Sequence, residues 1–182
     1  MNVNGSNTSQ QGVVIIDPPR DGEANMAIDD ALLEHAKPAW PVVMRIYRWQ
    51  KPTLSLGHFQ SLEERKSFPM LEGLESVRRR TGGGAIVHDQ EITYSLVFPN
   101  RGKGMVKGHS EQLYRAVHMA AIESLRKLGW EANLSESCTC ANSSNPKSES
   151  FLCFLRRSPV DLVVGPYKIL GSAQRRTSSS AT

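Results

Sequence analysis

The sequence predicts one α+β domain in which antiparallel strands lie beside a few helices. Two observations predict this class. Short runs rich in β-branched and aromatic residues follow one another closely, and two amphipathic helical segments interrupt them. The chain has 182 residues, 39% hydrophobic and 22% charged, which is typical of one domain that needs neither disulfides nor a structural metal to fold.

The first elements follow eleven polar residues, 1–11, which we expect to form a tail ahead of a domain over 12–182. Residues 12–17, GVVIID, are an apolar run that predicts a buried first strand. Asp21 is placed to cap a helix over 22–37, which Pro38 ends. The residues predicted to share its apolar face are Ala24, Ile28, Ala31, Leu32 and His35.

The middle of the chain predicts mostly strands. Residues 41–49 and 53–57 indicate two strands with a tight connection, and 61–72 a short helix. Between 76 and 98, short strands bent at Gly82–Gly84 and at Asp89-Gln90 indicate an antiparallel meander.

The last third predicts the longest helix, capped by Ser110 and ending at Gly129. Its predicted apolar stripe consists of Leu113, Val117, Ala121, Leu125 and Leu128. Residues 135–150 lack large apolar side chains and predict an exposed loop. Three further short strands are expected in 151–155, 160–164 and 167–170.

Composition restricts the function classes. No apolar run approaches the roughly 20 residues that a spanning helix needs, so we expect no membrane partner. The polar start lacks the features of a secretory signal, and the three cysteines are an odd number, so we expect a cytoplasmic protein. The net charge of +4 favours anionic partners, which leaves nucleic acid, acidic proteins and phosphate or carboxylate ligands open.

The segment 78–89, RRRTGGGAIVHD, combines three arginines with three glycines. Gly82, Gly83 and Gly84 permit close approach of a ligand to the backbone, and Arg79 and Arg80 beside them offer bidentate donors for phosphate or carboxylate. A plain hairpin turn with solvated charges is the alternative. His88 follows on the next strand and is a candidate ligand contact, whereas His118 in the long helix is expected to be structural.

A second candidate segment is 168–176, KILGSAQRR. Lys168 is expected at the end of a strand, and Gly171, Ser172 and Ala173 again leave space beside the backbone. The Lys168 ammonium would stabilise negative charge on a carbonyl oxygen, a phosphate or a thiolate. An edge-strand lysine with its head in water is the alternative.

Cysteine provides the third signal. Cys153 in FLCFL is either a buried hydrophobe or a nucleophile that carries an acyl group as a thioester. Lys168 would be its partner if the two segments are neighbours. Cys138 and Cys140 supply only two soft ligands in a polar loop, so no metal site is expected.

Four stretches together resemble the lipoate/octanoate protein ligase and octanoyltransferase family, whose catalytic domain is shared with biotin protein ligases. They are residues 25–36, 45–60, 78–97 and 160–176. The resemblance implies a mixed, largely antiparallel sheet flanked by helices, as in class II synthetases and biotin protein ligases. It also implies an acyl chain beside the glycine turn and a lysine, here Lys168, at the activated carboxyl group.

The family offers two chemistries. One uses ATP and Mg²⁺ to form an acyl-adenylate, which Arg79, Arg80 and Lys168 would hold here. The other needs no cofactor and passes octanoyl through a cysteine thioester, and CFLRRSP at 153–159 resembles its cysteine segment, so Cys153 is assigned as nucleophile. Arg156 and Arg157 depart from that pattern.

The implied partners are octanoyl-acyl carrier protein and lipoyl-domain proteins, namely the glycine cleavage H protein and dehydrogenase E2 subunits. A backbone oxyanion hole is expected around Gly171–Ala173. Family members continue past GSAQRR, so the resemblance implies that this chain is shortened at its C-terminus. A non-enzymatic binding module that uses Arg78–Arg80, for example for nucleic acid, is the rival from another class.

Overall fold

The computed structural model of the protein describes residues 12–99, 110–137, 151–177 and 180–182. Its helices are α1 (Gly22–His35) and α2 (Ser110–Lys127). Its strands are β1 (Gly12–Ile16), β2 (Val42–Tyr47), β3 (Thr53–Leu56), β4 (Glu75–Arg78), β5 (Ile86–His88), β6 (Thr93–Pro99), β7 (Ala132–Leu134), β8 (Leu162–Val164), β9 (Tyr167–Leu170) and β10 (Ser180–Ala181). The predicted α+β class is confirmed.

The strands form three small sheets with the orders β1-β2-β6-β10, β4-β3-β5 and β7-β8-β9. Among the strand pairs of the described ranges, only β1/β2 and β3/β4 are parallel, so the sheets are mixed and largely antiparallel as predicted. The strands at 42–47 and 53–56, predicted to have a tight connection, lie in different sheets.

The predicted meander over 76–98 is wrong. β4 and β5 lie on opposite sides of β3, and β6 pairs with β2. The glycine turn crosses the end of β3 at Gly57, where an added Cβ would lie 2.1 Å from the Gly83 carbonyl oxygen. The chain therefore passes over β3 instead of folding back beside β4.

The predicted burial of the first strand is also wrong. β1 forms at the expected residues but lies at the edge of its sheet, and Val14 and Ile16 are 62% and 80% exposed. An apolar run indicates a strand but does not reveal whether another layer covers it.

Helix α1 begins where predicted, because the Asp21 carboxylate accepts a hydrogen bond of 2.8 Å from the Ala24 N–H. Its buried face differs from the predicted one: Asn25 and Leu33 are buried, whereas Ala31 and His35 are exposed. The reason is a polar contact with β2, described next.

Arg45 on β2 is fully buried and connects this strand to α1. Its guanidinium donates to the Asn25 side-chain oxygen and to a carboxylate oxygen of Asp29, each at 2.8 Å. It also lies 2.8 Å from Asp17 at the end of β1. A buried cation needs such partners, so α1 presents polar side chains to the sheet at this point.

Helix α2 is confirmed, although the predicted Ser110 cap concerns a side chain outside those described. Ile122 and His118 are its most deeply buried residues, at 1% exposure each. Leu128, predicted for the apolar stripe, is 75% exposed because the helix has ended and Gly129 (φ +87°) turns the chain. No helix in the described ranges is long and apolar enough to cross a membrane.

Three local predictions are refined, corrected or fall partly outside the description. The short helix predicted at 61–72 is present as two 3₁₀ helices, Leu62–Ser67 and Pro69–Leu71. The predicted strand at 151–155 is a 3₁₀ turn over Cys153–Leu155, preceded by a single bridge between Ala85 and Leu152. The predicted loop begins with a further 3₁₀ turn, Ser135–Ser137, and its residues 138–150 lie outside the described ranges.

Candidate active site

A cavity of about 440 Å³ lies between α1, the strands β5 and β6, α2, and the segment 169–174. This volume is within the usual range for small-molecule sites. Its apolar lining includes Leu113, Val117, Phe154, Ile169 and Leu170. Polar groups of Tyr94, His88 and Ser172 also reach it. Apolar walls with a few polar groups suit a short acyl chain that ends in a reactive carbonyl.

The glycine turn lies directly against the cysteine segment. The Cys153 N–H donates to the Ala85 carbonyl at 2.7 Å, and the Ala85 N–H donates to the Phe151 carbonyl at 2.8 Å. A Cβ added to Gly84 would lie 2.9 Å from the Cys153 backbone nitrogen. Glycine at this position therefore allows the two backbones to approach, and the turn holds Cys153 in place.

Arg79 binds the inside of the glycine turn. Its guanidinium donates to the carbonyl oxygens of Gly82 (2.9 Å) and Gly84 (2.7 Å) and to that of Ser55 (2.9 Å). Burial lowers the pKa of Arg79, and attraction to negative charge on Cys153 opposes that shift. Arg79 therefore orders the turn that holds Cys153, and its charge interacts with that residue.

Lys168 lies within β9, and not at its end as predicted. Its Nζ is 2.8 Å from a carboxylate oxygen of Asp161, and both side chains are 5% exposed. The same nitrogen donates to the Arg156 carbonyl at 3.3 Å and lies 3.5 Å from the Cys153 carbonyl oxygen. It also faces the Phe154 ring, 5.4 Å from the centroid. The ammonium is thus enclosed beside the cysteine turn, which differs from an edge-strand lysine with its head in water.

The segment Gly171–Ala173 lies between Lys168 and the cavity. A Cβ added to Gly171 would be 2.7 Å from Lys168 Cε, so glycine leaves room for the lysine side chain. Ser172 accepts or donates a hydrogen bond of 2.8 Å with His118 Nε2. The Ala173 methyl lies 4.0 Å from the Cβ position of Gly83, so the two small-residue segments face each other.

His88 is held rigidly at the cavity wall. It is 7% exposed and stacks on Trp49 with ring centroids 4.0 Å apart and a 10° angle. Its Nδ1 bonds to the Glu91 carboxylate. Burial alone would raise the pKa of Glu91, but hydrogen bonds from the His88 ring and from the Asp89 N–H lower it to about 2.

The other arginines of the predicted cluster are engaged within the protein. Arg80 lies 3.0 Å from Asp30 and also pairs with Glu34. Arg78 donates to three backbone carbonyls, those of Gly57, His58 and Gln60. Arg78 and Arg80 are thus exposed, as in the alternative of solvated charges, but both are also bonded to groups of the protein itself.

The predicted site residues divide into two groups. Those that line the cavity are Arg79, Arg80, His88, Gly171, Ser172 and Ala173. Gly82–Gly84, Cys153 and Lys168 lie behind that lining, where Phe154, adjacent to Cys153 in sequence, reaches the cavity. The structure brings Lys168 and Cys153 together through the cysteine backbone, with the lysine ammonium beside its carbonyl oxygen.

Sequence analysis does not single out three residues of the candidate site. Asp161, the partner of Lys168, stands at the start of the VDLVV run, where an acidic residue ahead of a buried strand is the available signal. Tyr94 gave no signal of its own. His118 was assigned a structural role, but it also contacts Ser172 at the cavity wall.

No cluster of three or more histidine, cysteine or acidic side chains suited to a metal ion occurs within the described part of the chain. Cys138 and Cys140 fall outside that part.

Comparison with known proteins shows which family this chain resembles. The profile of the lipoyl protein ligase A/B catalytic domain matches residues 21–182. The octanoyltransferase LipM of Anoxybacillus flavithermus is 39% identical over 158 residues, and that of Kyrpidia tusciae is 37% identical over 155 residues. Each alignment covers 84% of this chain and 56% of the relative, so the chain spans little more than half the length of these curated relatives.

Solved structures show the same fold at lower identity. A lipoate-protein ligase A bound with ATP gives a TM-score of 0.67 at 23% identity, covering 94% of this chain and 64% of that one. A bipartite lipoate protein ligase of Thermoplasma acidophilum, solved in a study that includes its E2 lipoyl domain, gives 0.65 at 21%, covering 94% and 59%. The resemblance predicted from four sequence stretches is confirmed: the chain belongs to the lipoyl protein ligase A/B catalytic domain family.

Proposed function

We propose that this chain is an acyltransferase domain that moves an octanoyl group through a Cys153 thioester to a lysine of a lipoyl-domain protein. The observation that carries the proposal is the placement of the Lys168 ammonium 3.5 Å from the Cys153 carbonyl oxygen, directly behind the lining of an acyl-sized, largely apolar cavity. The 37–39% identity with octanoyltransferases supports the choice of acyl group.

In the first step the Cys153 sulfur attacks the carbonyl carbon of an octanoyl thioester, for which octanoyl-acyl carrier protein is the proposed donor. A new C–S bond forms, the bond to the donor sulfur breaks, and the donor thiolate takes up the proton that Cys153 lost. Lys168 and Arg79 place two positive charges beside the cysteine turn, which would offset the negative charge that develops as the sulfur attacks. Phe154, Ile169 and Leu170 would contact the acyl chain.

In the second step the amine of the acceptor lysine attacks the enzyme thioester. A C–N bond forms, the C–S bond breaks, and Cys153 leaves as a thiolate that the lost amine proton neutralises. The negative charge that develops on the carbonyl oxygen needs donors. Backbone N–H groups around Gly171–Ala173 are the proposed oxyanion site, of a kind usually worth about 3 kcal/mol in the barrier.

The ATP-dependent alternative draws less support from the side chains. It needs Arg79 and Arg80 to hold an adenylate, but the Arg79 guanidinium is occupied by turn carbonyls and Arg80 by two carboxylates. The buried Lys168 ammonium is likewise paired with Asp161. Cys153 also has no task in adenylate chemistry, whereas here its N–H donates to the Ala85 carbonyl and its own carbonyl accepts from the Arg156 N–H.

The test is intact-protein and peptide mass spectrometry after incubation with octanoyl-acyl carrier protein, without ATP. We expect one octanoyl adduct on the peptide that contains Cys153. Cys153→Ala should abolish both the adduct and transfer to a lipoyl domain. Cys138→Ala, the same change at another cysteine, should leave both unchanged. If the Cys153→Ala protein acylates a lipoyl domain, and does so only when ATP is present, the thioester mechanism is wrong and the ATP-dependent ligase mechanism is correct.

A further inference from the structure

A chain of three side chains connects the interior of α2 to the cavity. His118 is 1% exposed, and its Nδ1 lies 2.6 Å from the Val160 carbonyl oxygen. Its Nε2 lies 2.8 Å from the Ser172 hydroxyl, which in turn bonds to the Tyr94 hydroxyl. Ser172 and Tyr94 line the cavity, whereas His118 lies behind them.

The partners determine the direction of these hydrogen bonds. A carbonyl oxygen only accepts, so His118 Nδ1 carries a hydrogen and donates it to Val160. In the neutral ring Nε2 is then an acceptor, and the Ser172 hydroxyl must donate to it. Ser172 has no second hydrogen, so the Tyr94 hydroxyl donates to Ser172. The Tyr94 oxygen is left with lone pairs and no hydrogen to offer.

The same contacts place these three side chains beside the enclosure of Lys168. Val160 precedes Asp161, the carboxylate partner of Lys168. Ser172 follows Gly171, whose added Cβ would lie 3.1 Å from Lys168 Nζ. His118 therefore joins the two backbone segments that enclose the lysine, and its chain ends in the adjoining cavity.

The second step brings together the enzyme thioester and the acceptor amine. Only the amine can form a hydrogen bond with the Tyr94 oxygen, because that oxygen acts as an acceptor. A thioester carbonyl is itself an acceptor and gains nothing from the Tyr94 oxygen. An amine carries N–H donors, and one N–H directed at an acceptor fixes the orientation of its lone pair.

We propose that the Tyr94 hydroxyl oxygen receives an N–H of the attacking amine, and that His118 is the positioning residue that sets this polarity through Ser172. The inference rests on the proposed function and deepens it, because it assigns recognition of the acceptor amine to residues separate from the Cys153 and Lys168 pair.

The experiment separates the two half-reactions in the full chain. Acylation of Cys153 by octanoyl-acyl carrier protein and transfer from the loaded enzyme to a recombinant lipoyl domain are each followed by mass spectrometry in single turnovers. Tyr94→Phe should slow transfer about tenfold and leave acylation within about twofold, since it removes one hydrogen bond to the amine. Ser172→Ala should slow transfer by a similar factor. Tyr167→Phe, at a tyrosine that is 72% exposed, is the matched control and should change neither rate.

Two variants of His118 test its role as a positioning residue. Glutamine offers one N–H donor and one oxygen acceptor in place of the two ring nitrogens, so His118→Gln should transfer within about threefold of wild type. His118→Ala should be as slow as Ser172→Ala. Thermal melts show whether each variant is folded. If His118→Ala is unfolded, the transfer rate of His118→Gln is compared with that of Ser172→Ala instead.

The outcomes distinguish this inference from the function on which it rests. A wild-type protein that forms no Cys153 adduct overturns the proposed function and this inference with it. A loaded wild-type enzyme with Tyr94→Phe equally fast in transfer overturns only the inference. Acylation and transfer that fall in parallel also overturn it, because that result indicates a merely structural role.

Discussion

The ion pair between Asp161 and Lys168 provides a quantitative test of how the site is built. Both side chains are 5% exposed, and Nζ lies 2.8 Å from the carboxylate. Asp161→Asn keeps the shape of the side chain but removes its charge, so the ammonium stays buried without its counter-ion. Breaking a buried pair in this way costs about 3–5 kcal/mol in the free energy of unfolding.

That cost converts into a large change in thermal stability. A domain of this size loses about 2–4 °C in Tm for each kcal/mol, so we expect Asp161→Asn to melt about 6–20 °C below wild type. Differential scanning calorimetry measures it. The matched control is Glu75→Gln, which breaks the pair with Lys51, where the side chains are 50% and 53% exposed. We expect that variant to melt within about 4 °C of wild type, since an exposed pair contributes at most about 1 kcal/mol.

A double variant separates the pair from its surroundings. Asp161→Leu combined with Lys168→Met removes both charges at similar volume, and an apolar pair is often as stable as the buried ion pair it replaces. We expect its Tm to recover towards wild type while Cys153 acylation is lost, because the Lys168 charge is gone. An Asp161→Asn protein that melts within about 2 °C of wild type would refute the reasoning, as would a double variant less stable than the single one.

Two further predictions concern the glycine turn and the cavity wall. Gly84→Ala should slow acylation and lower the Tm, because its methyl would lie 2.9 Å from the Cys153 nitrogen; Gly82→Ala, with nothing within 4 Å, should match wild type in both. Burial alone would raise the pKa of Glu91, but hydrogen bonds, first that of His88, lower it to about 2. The pKa of an unfolded glutamate is about 4.3. The Glu91 carboxylate therefore stabilises the fold above that pH, and this contribution disappears as the pH falls towards 2. The difference in unfolding free energy between wild type and Glu91→Gln, from urea titrations, should therefore shrink over that range, and a difference independent of pH would contradict it.

The sequence predicts where helices and strands form better than it predicts which strands pair with each other. Strands and helices appear at most of the expected residues because hydrophobic periodicity and caps such as Asp21 act locally. Strand pairing is not local. The glycine turn was expected to form a hairpin, but it crosses β3 at Gly57, and no feature of residues 76–98 alone distinguishes these two paths.

The site shows the same division. The motif residues were found because a run of glycines or a cysteine beside small residues is visible in the sequence. Their partners were not. Asp161 contacts Lys168 across the β8/β9 hairpin, and His118 reaches Ser172 from a helix more than fifty residues away. Only the register of the fold brings these pairs together, and the predicted strand at 151–155 would have placed Cys153 differently.

A stability argument gives these partners functional meaning. An ion pair as deeply buried as that of Asp161 and Lys168 contributes little net stability compared with an apolar pair of the same size, because desolvation offsets the attraction. The same holds for His118, whose polar ring occupies a position in α2 that an apolar side chain would fill without hydrogen-bond requirements. Both groups adjoin the cysteine turn or the cavity. Their cost is understandable if the charge on Lys168 and the hydrogen-bond direction at Tyr94 act on a bound acyl group and its acceptor, and a protein built only for stability would gain from replacing them.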